Sequence, residues 1–172
     1  AGAPLLHIAS YEWERVRGLA VGLAKDLKLP LKVWSQSTGL KASNEDGELL
    51  VLEDDATDAL EVLRAIYASD EPGVWMMVDF QPFLREEHHQ LLRWLREIAR
   101  LPATPRKLVV LSTPLPALPM DLRKEIPTIE LPLPSVEDLR VVLHDAATAF
   151  GVDAVADEAL LDAARGLTVM EA

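Results

Sequence analysis

Apolar and polar positions alternate along this chain in blocks of two kinds. Short stretches that read as strands recur at Leu5–Ala9, Leu31–Trp34, Val74–Val78, Lys107–Leu111 and Thr128–Leu131. A continuous apolar run bounded by Pro and Gly predicts a strand buried on both faces. The most apolar, Val74-Trp75-Met76-Met77-Val78, lies between Pro72-Gly73 and Pro82 and reads as the central strand. Between the runs, apolar residues return every three or four positions, which predicts amphipathic helices. Trp13, Val16, Ala20, Leu23 and Leu27 form one stripe, which Pro30 ends. Leu60, Leu63, Ile66 and Tyr67 form a second, behind a cap at Asp55 or Thr57. Phe83, Leu84, Leu91, Leu92, Leu95 and Ile98 form a third, opened by Pro82 at a first helical position.

Leu139, Val142, Leu143, Ala146 and Phe150 form a fourth stripe behind the capping-box pattern Ser135-Val136-Glu137-Asp138. A further helix is expected near 157–165, and Thr168-Val169-Met170-Glu171 begins another capping box. A short helical patch is expected at Met120–Lys124, and Glu48–Glu53 reads as an edge strand or hairpin. Strands alternating with helices predict an α/β fold with a mostly parallel sheet and helices on both faces. Ala1 and the unfinished last capping box lead us to expect a piece of a longer parent protein.

Composition narrows the function classes. The chain has 172 residues, 49% hydrophobic and 26% charged, in the range of a globular domain. It has no Cys, so disulfides and thiolate metal sites are excluded. With no membrane-spanning or signal-like run we expect a cytoplasmic protein that does not bind membranes. The net charge of −11 argues against a nucleic-acid partner. Arg85, Arg93, Arg96 and Arg100 are read as the solvated face of one helix. The acidic run Glu45, Asp46, Glu48, Glu53, Asp54 and Asp55 lacks calcium-loop spacing and is read as a solvated loop. His88 and His89 are adjacent, so on a helix they diverge and do not share a metal. His7 is read as a histidine at the core edge, and no metal site is expected. The four Trp residues are assigned to the core by default, with Trp94 the best candidate for partial exposure.

The central strand ending in Asp79, the fourth strand ending in Ser112, and the ending Ile129-Glu130-Leu131-Pro132-Leu133-Pro134 followed by Glu137-Asp138-Leu139-Arg140 are similar to the AAA+ ATPase large domain. More narrowly, Val33-Trp34-Ser35 with Gly39-Leu40, and Asp79-Phe80 with Pro82-Phe83-Leu84, resemble the N-terminal half of a poorly characterised bacterial and chloroplast open-reading-frame family of AAA ATPases. In that family a degenerate nucleotide-binding-like domain precedes an authentic AAA module. The resemblance implies a three-layer P-loop NTPase-like domain over 1–150 with a five-stranded sheet ordered 5-1-4-3-2. The start of a helical lid, cut short, would occupy 151–172. It also implies an AAA module in the same parent chain as partner, with ATP and Mg²⁺ belonging to the parent. It leaves open a homo-oligomer and names no protein partner.

The chain departs from the family's chemistry at two places. A phosphate loop needs Gly-x-x-x-x-Gly-Lys-Ser/Thr after the first strand. Here the sequence is Ala9-Ser10-Tyr11-Glu12-Trp13-Glu14-Arg15-Val16, without Gly or Lys and with two carboxylates where phosphates would lie. The Glu that follows the strand-end Asp, and activates water, is Phe80, which accepts no proton. No catalytic residue and no cofactor are therefore expected for this domain. A vestigial nucleotide site would comprise Ser10, Arg15, Asp79 and Ser112. Three of the four have a plainer reading: Ser10 and Asp79 as helix caps, Ser112 as a strand-end serine. Arg123 lies roughly where such domains place a subunit-interface arginine, though pairing with Asp121 and Glu125 explains it equally well. Two functions follow: a non-hydrolytic module for assembly, regulation or partner docking, or a domain binding nucleotide or another small ligand without hydrolysis.

Overall fold

The computed structural model describes residues 3–44, 48–51, 56–102, 106–151, 158–169 and 171. They group into two compact units, 1–130 and 131–172. The first holds β1 (Leu5–Ala9), α1 (Trp13–Leu27), β2 (Leu31–Ser35), β3 (Gly39–Ser43), β4 (Leu49–Val51), α2 (Ala59–Ala68), β5 (Gly73–Met77), a 3-10 turn (Gln81–Phe83), α3 (His89–Ala99), β6 (Lys107–Thr113) and β7 (Thr128–Glu130). The second holds α4 (Val136–Ala149) and α5 (Glu158–Ala164). The sequence reading put α4 with the preceding domain; here it is grouped with α5, against which Leu139 packs beside Leu161 and Ala164. Its capping box is formed: the Asp138 N–H donates to Ser135 Oγ, and the Ser135 N–H donates to Asp138 Oδ2.

The sheet runs β4-β3-β2-β5-β6-β1-β7. Five strands, β2, β5, β6, β1 and β7, are parallel and take the expected order; β3 and β4 extend the sheet beyond β2 as an antiparallel hairpin, giving seven strands instead of five. β5 is buried along its whole length because helices cover both faces. Trp75 and Met77 point to the α2–α3 side, in one cluster with Leu63, Ile66, Leu95 and Ile98. Val74 and Met76 alternate to the face on which α1 lies. Gly73 makes room for the indole two residues on: a Cβ there would lie 2.9 Å from Trp75 Cη2.

Several local expectations are corrected. α1 begins at Trp13 with Glu12, not Ser10, at the cap position. Its buried stripe is Val16, Ala20 and Ala24, so Trp13 is turned outward and is 39% exposed, contrary to its assignment to the core. The cap of α2 is Asp58, whose Oδ1 accepts the Glu61 N–H at 2.9 Å. Thr57 does not hold that position, and Asp55 lies outside the described residues. Pro82 opens only the 3-10 turn. Phe83 packs on Trp34 and Leu84 is buried, which draws the chain inward before α3 starts at His89. Residues 120–124 form turns held by bonds such as Leu122 N–H to the Pro119 carbonyl (3.0 Å), not a helix.

Candidate functional site

Sequence reasoning places the site at the C-terminal ends of β1, β5 and β6, the side of a parallel sheet where ligands bind. The structure brings the strand ends together there. The Ser10 N–H donates to the Thr113 carbonyl (2.8 Å), and the Phe80 N–H donates to the Ser112 carbonyl (3.0 Å). Ser10 and Ser112 are both buried, while Asp79 is exposed.

Asp79 occupies the left-handed region, φ +51, which Asp tolerates better than most residues. The backbone either side is tied to opposite neighbours: Val78 N–H to the Trp34 carbonyl on β2, and Phe80 N–H to the Ser112 carbonyl on β6. Asp79 is thereby pushed outward and Phe80 turned under the sheet end. The capping role expected of Asp79 is not observed. Phe80 holds the cap position of the 3-10 turn, which has no side-chain cap bond.

Phe80 is fully buried. Its ring lies 5.9 Å from that of Trp34 in an edge-to-face arrangement and 5.1 Å from that of Phe83. Trp34 is itself fully buried, with its Nε1–H donating to the Ala56 carbonyl at 2.8 Å. The position that would carry a catalytic base thus belongs to the aromatic part of the core.

The segment that the resemblance assigns to a phosphate loop follows β1. The Ser10 hydroxyl oxygen accepts the Glu12 N–H at 3.1 Å, a local turn in place of a helix cap. Glu12 is 6% exposed and forms an ion pair with Arg15 one helical turn on. That pair was readable from the i, i+3 spacing; the burial of Glu12 was not. The Gln81 side-chain oxygen, two residues past Asp79, is buried without a hydrogen-bond partner, and no pattern in the sequence marks it.

Arg123 is exposed, and its Nε donates to the Leu118 carbonyl at 3.0 Å. The carboxylates expected beside it are engaged elsewhere: Asp121 with Arg96 (2.6 Å), and Glu125 with Arg96 and Arg100 (both 3.0 Å). Those contacts hold the Arg96 guanidinium above its ordinary pKa, the Asp121 hydrogen bond foremost. Arg93 pairs with Glu97 (2.7 Å), so three of the four clustered arginines serve α3 and the segment packed on it.

His7 is fully buried, not at the core edge. Its Nδ1 lies 3.1 Å from Thr128 Oγ1 and its Nε2 lies 2.7 Å from Thr113 Oγ1. The Thr113 hydroxyl donates its one proton to the Leu115 carbonyl (2.5 Å), so it accepts from His7 Nε2–H. The neutral ring then accepts the Thr128 hydroxyl proton at Nδ1. Burial lowers the His7 pKa to about 4.

Among the described residues no group of three or more His, Cys, Asp or Glu is placed to hold a metal ion, and no helix is long and apolar enough to cross a membrane.

This architecture is that of the AAA+ ATPases. It matches a solved structure of katanin concerned with its self-assembly (TM-score 0.67, 14% identity, 99% of this chain and 55% of that one). It also matches the FIGL-1 AAA domain in complex with ADP (0.58, 16%, 84% and 48%). A third match is a chain of the HORMA:CdnC:Trip13 complex of E. coli MS115-1 (0.60, 14%, 93% and 58%). The chain thus spans about half the length of these solved chains. No curated protein matches it. Residues 1–131 match the model of the SpoVK-like AAA ATPase N-terminal domain, and the chain belongs to that family.

Proposed function

We propose that this is a non-hydrolytic AAA-like domain that acts in assembly, regulation or partner docking beside an ATPase module of the same parent chain. The observation that carries this reading is Phe80. A buried aromatic ring stands where water activation needs a carboxylate, and it is packed on Trp34 and Phe83. Glu12 adds to it. Its carboxylate engages Arg15, the one cation of the candidate site, in an ion pair. ATP and Mg²⁺ are proposed for the parent module, and the cytoplasm for its location. Self-association is proposed by analogy with the assembly described for katanin. Isothermal titration with ATP and Mg²⁺ tests the reading: no heat of binding is expected, and micromolar affinity overturns it.

A second reading, binding of a nucleotide or other small ligand without hydrolysis, is favoured by the unpartnered Gln81 oxygen. Ser10, Arg15, Asp79 and Ser112 would line that site. A thermal-shift panel of nucleotides at millimolar concentration tests it: stabilisation that Gln81→Leu abolishes supports it, and no shift removes it.

A further inference from the structure

The two edges of the sheet are guarded differently. β7 is three residues long and lies between Pro127 and Pro132, with Pro134 following. Proline lacks the N–H a ladder needs, so this edge cannot be lengthened by an added strand. β4 has no such guard. No proline occurs between Pro30 and Pro72, and among the described residues β4 pairs with β3 alone.

The ladder shows which backbone groups of β4 are free. The Asn44 N–H donates to the Glu48 carbonyl at 3.0 Å. Paired residues alternate along an antiparallel ladder between bonded and non-bonded. From that bond, and the register Ser43–Leu49, Ala42–Leu50 and Lys41–Val51, Leu50 turns its N–H and C=O toward β3. Leu49 and Val51 turn theirs to the open edge. The Leu50 side chain is 53% exposed beside them.

Charge selects the partner. From residue 42 to residue 63 there is no Lys or Arg, while Glu45, Asp46 and Glu48 precede the strand and Glu53, Asp54 and Asp55 follow it. All lie within four residues of β4 along the chain. A second copy added edge to edge would bring an equally acidic strand, Glu48 included, and like charges across a ladder repel. A strand carrying Lys or Arg meets no such opposition.

We propose that the open edge of β4 is a docking site for an extended, Lys- or Arg-rich segment of another protein, which adds to the sheet as an eighth strand through the backbone of Leu49 and Val51. This specifies the partner-docking reading above and rests on it. A failed peptide titration leaves the nucleotide calorimetry unaffected, so the two failures are distinguishable.

The test is an amide NMR titration of the 172-residue chain with a synthetic peptide of alternating Val and Lys, against a Val and Glu counterpart. Saturable shifts at Glu48–Val51 that weaken as salt rises are expected from the lysine peptide alone. Leu49→Pro removes an outward N–H and leaves the Leu50 bonds to β3 in place. It is expected to weaken binding roughly five- to tenfold. Glu48→Gln keeps the acceptor for Asn44 Nδ2 but drops the charge, and is expected to weaken binding by a factor of about two to five. Should Leu49→Pro fail to fold, Glu48→Gln and the salt series carry the test. Absence of saturable shifts, equal binding of the glutamate peptide, or binding insensitive to both substitutions overturns the proposal.

Discussion

The ring of Phe80 meets that of Trp34 edge to face, with centroids 5.9 Å apart and planes at 65°. This contact puts the residue that follows the strand-end Asp79 on the core side of the sheet end. Phe80→Glu therefore buries a carboxylate among aromatic rings. The expected loss is at least about 3–5 kcal/mol, the range for removing a buried Phe, with charge burial adding to it. Urea unfolding followed by tryptophan fluorescence reads this loss, and a phosphate-release assay is expected to stay at background. A stable Phe80→Glu variant that hydrolyses ATP would contradict the assignment.

His7 predicts a pH dependence of stability. An unfolded histidine titrates near 6.5, while His7 in the fold titrates at about 4. Between those values the unfolded chain holds more protons, so stability falls as pH falls from about 6.5 to 4. The difference amounts to about 3 kcal/mol once pH is below 4. Denaturant midpoints measured across this window are expected to drop for the natural chain, with this component missing in His7→Gln. An identical profile in both would assign the acid sensitivity to other groups.

Gly73 predicts a packing cost in a strand that otherwise tolerates large side chains. The Cβ of Gly73→Ala would lie 2.9 Å from Trp75 Cη2, and that indole is only 3% exposed and has little room to yield. Overpacking of this kind costs about 1–3 kcal/mol. A thermal melt resolves it, and Gly73→Ala combined with Trp75→Leu is expected to recover part of the loss arising from the clash.

Lys107 joins the start of β6 to the end of α2. Its buried ammonium donates to the carbonyls of Ile66 (2.8 Å) and Tyr67 (3.0 Å), which lie in the last turn of the helix. Lys107→Met leaves both acceptors without that donor, at a cost of about 1–3 kcal/mol. Hydrogen exchange at the C-terminal turn of α2 is expected to speed up before exchange elsewhere. Uniform acceleration would point to global destabilisation instead.

The central strand β5 was legible because an unbroken apolar run of its length fits only a doubly covered sheet, whereas the strand order came from the family resemblance and β7, exposed along its length, shows no such run. What the sequence hid depends on distant residues. Trp13 fits an apolar stripe as well as Val16 does, and only the sheet decides which face of α1 is buried. Pro82 looks like a helix start until Phe83 and Leu84 are seen held by the core. Asp79 looks like a cap until the bonds either side of it set a left-handed turn. The β3–β4 hairpin was only partly anticipated, because its three-residue outer strand has too few positions to show a period. Within the site, the missing Gly, Lys and Glu were plain in the sequence, but the burial of Phe80 and Glu12 came only with the fold.

Trp34, Phe80 and Phe83 touch one another pairwise. Replacing any one ring opens a gap against the other two, so a polar group at position 80 requires repacking at 34 and 83 as well. The three positions behave as one unit: what is tolerated at one is set by the residues at the other two, and their substitutions are expected to be strongly non-additive.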